Sequence, residues 1–268
     1  PNFCKFKAEW YIIISMSTLA YILLFTFLGS IGALIGGFIL LSYEKIALKI
    51  SHFLASFAAG VLLGAAFFDL LPEALQEREE TEIDVFFWAL FGIILFFILE
   101  RLIHWFHHHE EHHEHERESK TTLPLIIVGD TVHNFIDGVV IAATFVISIP
   151  LGIVTALAVF AHEIPQEIGD FGLMLHKGLK RKKIILVNII SAASAFFGAG
   201  IAYVSGNLLE NYIPIFLALT AGFFIYIATS DLIPEIHYEK RKGFAIIESV
   251  LLILGVVLTW FSTHFLPE

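Results

Sequence analysis

IIVGDTVHNFIDGVVIAATFVISIPLGIVTALAVFAHEIPQEIGDFGLM, residues 126–174, decides the fold. It is nearly continuous apolar sequence, enough for two membrane-spanning helices of about 20 residues each. Yet it carries Asp130, His133, Asn134 and Asp137 in its first half. Its second half carries His162, Glu163, Gln166, Glu167 and Asp170. An ionisable side chain at bilayer depth costs about 2.5–3.5 kcal/mol on insertion scales. Two helices with this many polar groups insert only if the groups share a site or a water-filled cavity.

The rest of the chain is made of the same material. Of its 268 residues 57% are hydrophobic and 16% charged, and mean hydropathy is +0.80. Soluble domains run at about 45–50% apolar and about 25% charged. Disorder is excluded by the hydrophobicity. A disulfide-stapled fold is excluded because Cys4 is the single cysteine. Eight apolar runs can be read, at roughly 11–41, 48–72, 85–106, 122–147, 151–175, 183–204, 212–235 and 244–264. The sequence therefore predicts one all-α integral membrane domain over residues 1–268, with eight transmembrane helices. The first run has no small-residue cleavage site near its end and reads as a retained helix.

The charges between runs orient the bundle. Lys45 and Lys49, then Arg101, Arg117 and Lys120, then Lys177 and Lys180–Lys183, then Lys240–Lys242 fall in alternate loops. Such Lys/Arg excess marks the cytoplasmic side. Both termini are then outside, and so is the acidic segment Glu73, Glu77, Glu79, Glu80, Glu82, Asp84.

A repeat joins the second and seventh runs. AAGVLLGAAFFDLLPEAL (58–75) aligns without gaps with TAGFFIYIATSDLIPEIH (220–237). The two share Ala-Gly and the polar motif D-L-x-P-E: Asp69 and Glu73 in one, Asp231 and Glu235 in the other. In the orientation above these runs cross in opposite senses, which makes the match an inverted repeat, a mark of alternating-access transporters. A shorter echo links His133–Asp137 with His162–Gln166. The expected arrangement is three helices, two, then three, with the polar pair central. Asp69 and Glu73 at one mouth, and Asp231 and Glu235 at the other, would concentrate cations. Asp130 and Asp170 would line the path.

On the first central helix Asp130, His133 and Asp137 share a face; on the second, His162 and Gln166 form one stripe and Glu163, Glu167 and Asp170 the next. Imidazole with carboxylate suits a borderline divalent cation, and the absence of thiolate argues against copper(I). Pro165 frees the carbonyl of Ala161, which can serve as a ligand or bend the helix. Between the third and fourth runs lies HHHEEHHEH, with His107, His108, His109, His112, His113 and His115. Such tracts bind metal loosely; on the cytoplasmic side this one reads as a receiver for emerging ions.

HNFIDG (133–138) and HEIPQEIGD (162–170) together resemble the paired signatures of the ZIP (Zrt/Irt-like) metal transporters, the second in the form of the LIV-1 branch. The resemblance implies eight helices in a 3+2+3 inverted arrangement, with helices 1, 4, 5 and 6 moving as a block. It implies import of Zn2+ as substrate, with Fe2+, Mn2+ and Cd2+ as alternatives. His133, Asp137, His162, Glu163 and Gln166 become ligands, with Asn134 at an adjoining second site. The sequence departs from the family pattern in three places. Gln166 stands where LIV-1 proteins have His, which makes Glu167 a substitute ligand. Asn188, Ser191 and Ser194 stand on the sixth run, where binuclear branches supply Glu. Asp69 stands where LIV-1 proteins tend to have His.

An intramembrane metalloprotease would need H-E-x-x-H; here Gln166 replaces the second His. A metal sensor without transport is the other alternative. Nothing suggests an organic cofactor, an ATP-binding loop or nucleic-acid binding. The expected partners are a divalent ion and the lipid bilayer, with homodimer formation left open.

Overall fold

The computed structural model describes residues 17–77, 83–108, 118–176, 178–205, 212–237 and 243–265. Among them there are eight long helices and no strand. Helix α1 runs Thr18–Ser42, opened by Ser17, whose hydroxyl accepts from the Ala20 N–H. Helix α2 runs as Glu44–Ala65, Ala66–Leu70 and Leu71–Glu77. Then come α3 (Val85–His108), α4 (Glu118–Ile147), α5 (Ile149–His176) and α6 (Arg181–Val204). Helix α7 runs as Ile213–Tyr226, Ile227–Leu232 and Ile233–His237, and α8 is Phe244–Phe265.

Seven of the eight are long and apolar enough to cross a membrane. The other, α3, is 24 residues long and reads VFFWALFGIILFFILE over the start of its length; its side chains are described as far as Arg101. The outer surface is apolar where lipid would lie. Phe86, Phe87 and Leu90 on α3, and Ile246, Val250 and Ile253 on α8, are all more than half exposed.

The connections are tighter than the sequence suggested. Only Tyr43 separates α1 from α2, so Lys45 and Lys49 lie in the first turns of a helix rather than in a loop. Only Ser148 separates α4 from α5; its hydroxyl accepts from the Leu151 N–H. This turn holds the two polar helices antiparallel and side by side. Helix α5 ends at a glycine: Gly178 adopts φ +83°, its N–H donates to Leu175, and that of Leu179 to Met174. This is the left-handed cap that ends many helices.

The sequence repeat is matched by local structure. A wide π turn covers Ala66–Leu70 in α2 and Ile227–Leu232 in α7. Each includes the aspartate of D-L-x-P-E, and each precedes its proline by a few residues. Proline has no N–H and crowds the carbonyl four residues back, and a widened turn relieves both. The aligned glycines do the same job twice. A Cβ on Gly60 would lie 2.0 Å from the Leu252 carbonyl oxygen on α8, and one on Gly222 would lie 2.3 Å from that of Ala89 on α3. Their partners Gly255 and Gly92 are equally tight, 2.4 Å from Phe57 O and 2.6 Å from Leu219 O. Small residues let membrane helices approach to backbone contact.

Packing divides the helices into two groups. Helices α1, α4, α5 and α6 touch one another, with α4 against α6 the most extensive crossing. Helices α2 and α8, α3 and α7, and α2 and α7 pair in the second group. The groups meet chiefly where α2 lies along α5, and more lightly where α3 touches α4.

Candidate metal site

The four central residues come together midway along α4 and α5. His133, Asp137, His162 and Glu163 each present a donor atom, and all four atoms lie within 4.8 Å of one another. The Nε2 atoms of His133 and His162 are 3.2 Å apart. His133 Nε2 is 3.4 Å from Glu163 Oε1 and 3.7 Å from Asp137 Oδ2. His162 Nε2 is 3.5 Å from Asp137 Oδ2 and 3.9 Å from Glu163 Oε1. In a tetrahedral zinc site with ligands at about 2.0–2.1 Å, donors stand about 3.3 Å apart. Three of these five separations already match, and the other two need only small closure. Two neutral imidazoles and two carboxylates also balance a divalent charge.

The site is largely buried and pre-aimed. Asp137, His162 and Glu163 are buried, and His133 is the most open of the four. The Nδ1 of His162 sits 3.1 Å from the Ala158 carbonyl; donating there leaves the Nε2 lone pair facing the cluster. Such outer bonds fix tautomer and ring orientation in metal-binding histidines. The edge of Phe96 on α3 meets the His133 ring at 5.8 Å, and Phe224 on α7 meets the His162 ring at 6.4 Å. Both aromatics come from the group of helices that supplies no donor to the cluster. Neither Glu163 oxygen has a hydrogen-bond partner, nor has Asp137 Oδ2. Unpaired buried acceptors of this kind call for a water or an ion.

The other predicted residues are placed differently. Gln166 is outside the four-donor cluster and lines, with His133, a cavity of about 370 Å³. Glu100, Asp170 and Asp231 also line this cavity, as does Pro165, through which α5 continues unbroken. Asp69 and Glu73 line a second cavity of about 350 Å³ with Gln76, Ser148 and Thr263. Asp130 is buried and its carboxylate accepts from the Asn134 amide at 2.9 Å. Glu167 is buried as well. The Glu235 side chain and the His-rich segment from His109 onward lie outside the described residues. His107 and His108 continue α3 as backbone only.

The sequence reading missed Glu100, whose carboxylate accepts from the Tyr226 hydroxyl across α3 and α7. A carboxylate inside an apolar run was the available signal. It also missed Phe96, Phe224 and the Ala158 carbonyl, which carry no signal in a chain with 27 Phe.

Comparison with known proteins places the chain in a family. The profile of the ZIP zinc transporter family matches residues 16–124 and 107–263. Zinc transporter ZIP13 of Pongo abelii is 31% identical over 222 residues, covering 76% of this chain and 64% of the relative. Human zinc transporter ZIP6 is 37% identical over 138 residues, 49% of this chain and 18% of the relative. Mouse zinc transporter ZIP4 is 46% identical over 110 residues, 41% of this chain and 16% of the relative. The chain thus spans less than two thirds of these relatives' length. With eight packed helices, a buried two-histidine, two-carboxylate cluster and a profile match along nearly all of its described length, the chain belongs to the ZIP zinc transporter family.

Proposed function

We propose that this chain is a secondary transporter that carries divalent transition-metal ions, zinc foremost, into the cytoplasm by alternating access. The observation that carries the reading is the four-donor cluster on α4 and α5, reached through His133 and Gln166 from a cavity lined by Asp170, Glu100 and Asp231. The orientation deduced from Lys and Arg puts that cavity on the cytoplasmic side and the Asp69–Glu73 cavity outside. The ion would arrive past Asp69 and Glu73 and exchange water for His133, Asp137, His162 and Glu163. It would leave past Gln166, Asp170 and Asp231. All four donors belong to the α1–α4–α5–α6 group, so that group would carry the ion as it shifts against α2, α3, α7 and α8. The matched glycines and π turns of α2 and α7 support an inverted 3+2+3 arrangement, and the Lys and Arg distribution supports both termini outside, in a plasma or inner membrane. The chemistry is transport rather than catalysis: Gln166 stands where a zinc protease of this motif needs its second histidine.

The test is flux of Zn2+ into proteoliposomes, with Fe2+, Mn2+ and Cd2+ as competitors. Zinc entry reduced by the competitors is expected. Zinc binding without entry would favour a sensor, and strong preference for Fe2+ or Mn2+ an importer of those ions.

Gln166→His should tighten zinc binding by about tenfold, because imidazole is a better zinc ligand than a neutral amide, and it should lower the maximal flux through slower release. Calorimetric titration and initial-rate flux on the same preparation measure the two effects. Unchanged affinity would place residue 166 away from the ion.

Proton competition follows from the donor set. Histidine must be neutral and carboxylate ionised to bind metal. Zinc affinity should therefore fall as the pH is lowered, as protons compete for the four donors. Equilibrium binding to detergent-solubilised protein reads this without a gradient. Affinity flat from pH 8 to pH 5 would show that other ligands hold the ion.

A further inference from the structure

Helix α6 opens on four consecutive cations, Lys180, Arg181, Lys182 and Lys183, with Lys180 as its N-cap. All four side chains are exposed. The first turn holds no acidic residue, and among the described residues none of the four has an ion-pair partner. Like charges this close repel. They also stand at the positive end of the helix dipole, where anions are favoured and cations are not. Among the described residues nothing offsets that field.

The register of the helix gives the charges a direction. Ile184, Asn188 and Ser191 are 0% exposed and mark the face of α6 that meets the bundle. Leu186, Ile190 and Phe197 are 57%, 60% and 69% exposed and mark the opposite face, which meets lipid. Residues three and four apart share a helix face. Lys183 and Lys182 precede Leu186 by three and four, so both continue the lipid-facing stripe. With 24 residues at about 1.5 Å each, α6 outreaches a hydrocarbon core of about 30 Å. Its charged first turn therefore lies at headgroup level, where the long stems rest on apolar surface and the charged ends reach outward. Cations between spans also orient insertion, but that rule counts charges and is indifferent to the face they occupy.

We propose that Lys182 and Lys183, flanked by Lys180 and Arg181, form a surface that binds the headgroups of anionic phospholipid. The occupant is lipid rather than soluble phosphate or an acidic protein, because the two lysines continue a stripe that already meets acyl chains. One phospholipid then satisfies both the charged turn and the apolar face below it. Arg181 adds a planar donor fork suited to phosphate. The orientation deduced from Lys and Arg puts the surface in the cytoplasmic leaflet, the side rich in anionic lipid. The inference needs α6 to span a membrane and is independent of which ion the chain carries.

Native mass spectrometry of the full chain in detergent, titrated separately with phosphatidylserine and with phosphatidylcholine of the same acyl chains, reads the affinity for each lipid. Phosphatidylserine is expected to bind at least about fivefold more tightly, the effect of roughly one cation beside an anionic surface. The preference should shrink as salt is raised. Lys182→Gln combined with Lys183→Gln should bring the ratio of affinities close to one, and Lys182→Arg combined with Lys183→Arg should keep it. Lys240→Gln combined with Lys242→Gln removes equal charge from another loop and should also keep it. Melting curves matching the unaltered chain show that the variants fold. The proposal is overturned if the unaltered chain binds the two lipids equally, if the preference survives the glutamine pair at 182 and 183, or if the pair at 240 and 242 abolishes it as well. Loss of the preference in excess inorganic phosphate at constant ionic strength would make this a soluble-anion site and would overturn it too. Zinc flux enters none of these outcomes, so failure of the transport reading leaves the inference standing.

Discussion

Alanine at His133 or at Glu163 abolishes zinc uptake while the protein still folds: this is the largest functional effect expected. Each substitution removes one of four converging donors, and loss even of a residue that only orients a ligand costs about 10–100-fold in metal affinity. Removal of a ligand should therefore exceed about 100-fold. Stability should hold. Glu163 Oε1 has only the two ring nitrogens near it, His133 Nε2 at 3.4 Å and His162 Nε2 at 3.9 Å, and neutral imidazoles can turn that edge to water from the cavity, so truncation strands no backbone donor. His133 is the most open of the four, against 0% exposure for the His162 side chain, so its truncation leaves space continuous with the cavity rather than a closed void. Uptake by proteoliposomes, with size-exclusion profiles and melting curves on the same samples, is the measurement. Near-normal uptake by both variants would remove these residues from the site.

The largest structural effect is expected at Gly138, one residue after Asp137 of the four-donor cluster. A Cβ there would sit 1.9 Å from the Ala195 carbonyl oxygen on α6. Real Cβ atoms essentially never come closer than 3.0 Å to such a neighbour, so the helices must separate by about 1.1 Å or more, the difference of the two distances. The obstacle is backbone, which cannot swing aside as a side chain does. Overpacking typically costs about 1–3 kcal/mol and more when nothing can give. Gly138→Ala is therefore expected to lose about 3 kcal/mol or more and about 10 °C in Tm. It should also loosen zinc binding at least tenfold, because moving α4 displaces His133 and Asp137 relative to α5. Gly200→Ala, on α6 with nothing within 4 Å, is the control. It should be neutral or gain roughly 0.5 kcal/mol, the usual advantage of Ala over Gly within a helix. Equal melting of the two variants would mean that the α4–α6 crossing is not the constraint described.

By itself the sequence determined the number of long helices, their order and which polar side chains stand out within them. Hydrophobicity over about 20 residues is a one-dimensional property, because a helix in lipid must satisfy its own backbone. Helix α5 therefore appears at Ile149–His176 with Pro165 inside it, as its apolar run indicated. Those polar side chains were legible because polar groups at such depth are costly and so stand out. The D-L-x-P-E repeat reappears as two matched π turns, Ala66–Leu70 and Ile227–Leu232. What the tertiary structure decided is which polar residues meet. Helical spacing put His162 and Glu163 on neighbouring stripes and Asp130 on one face with His133. Yet His162 and Glu163 both reach His133, while Asp130 turns to Asn134. Periodicity fixes angles about one axis. It says nothing of where a second axis crosses, and the crossing of α4 with α5 and α6 is set by contacts such as Gly138 on Ala195 and Gly198 on Phe135. The same crossing turned Gln166 to the cavity and buried Glu167, adjacent residues that no pattern along the chain could assign to different surroundings.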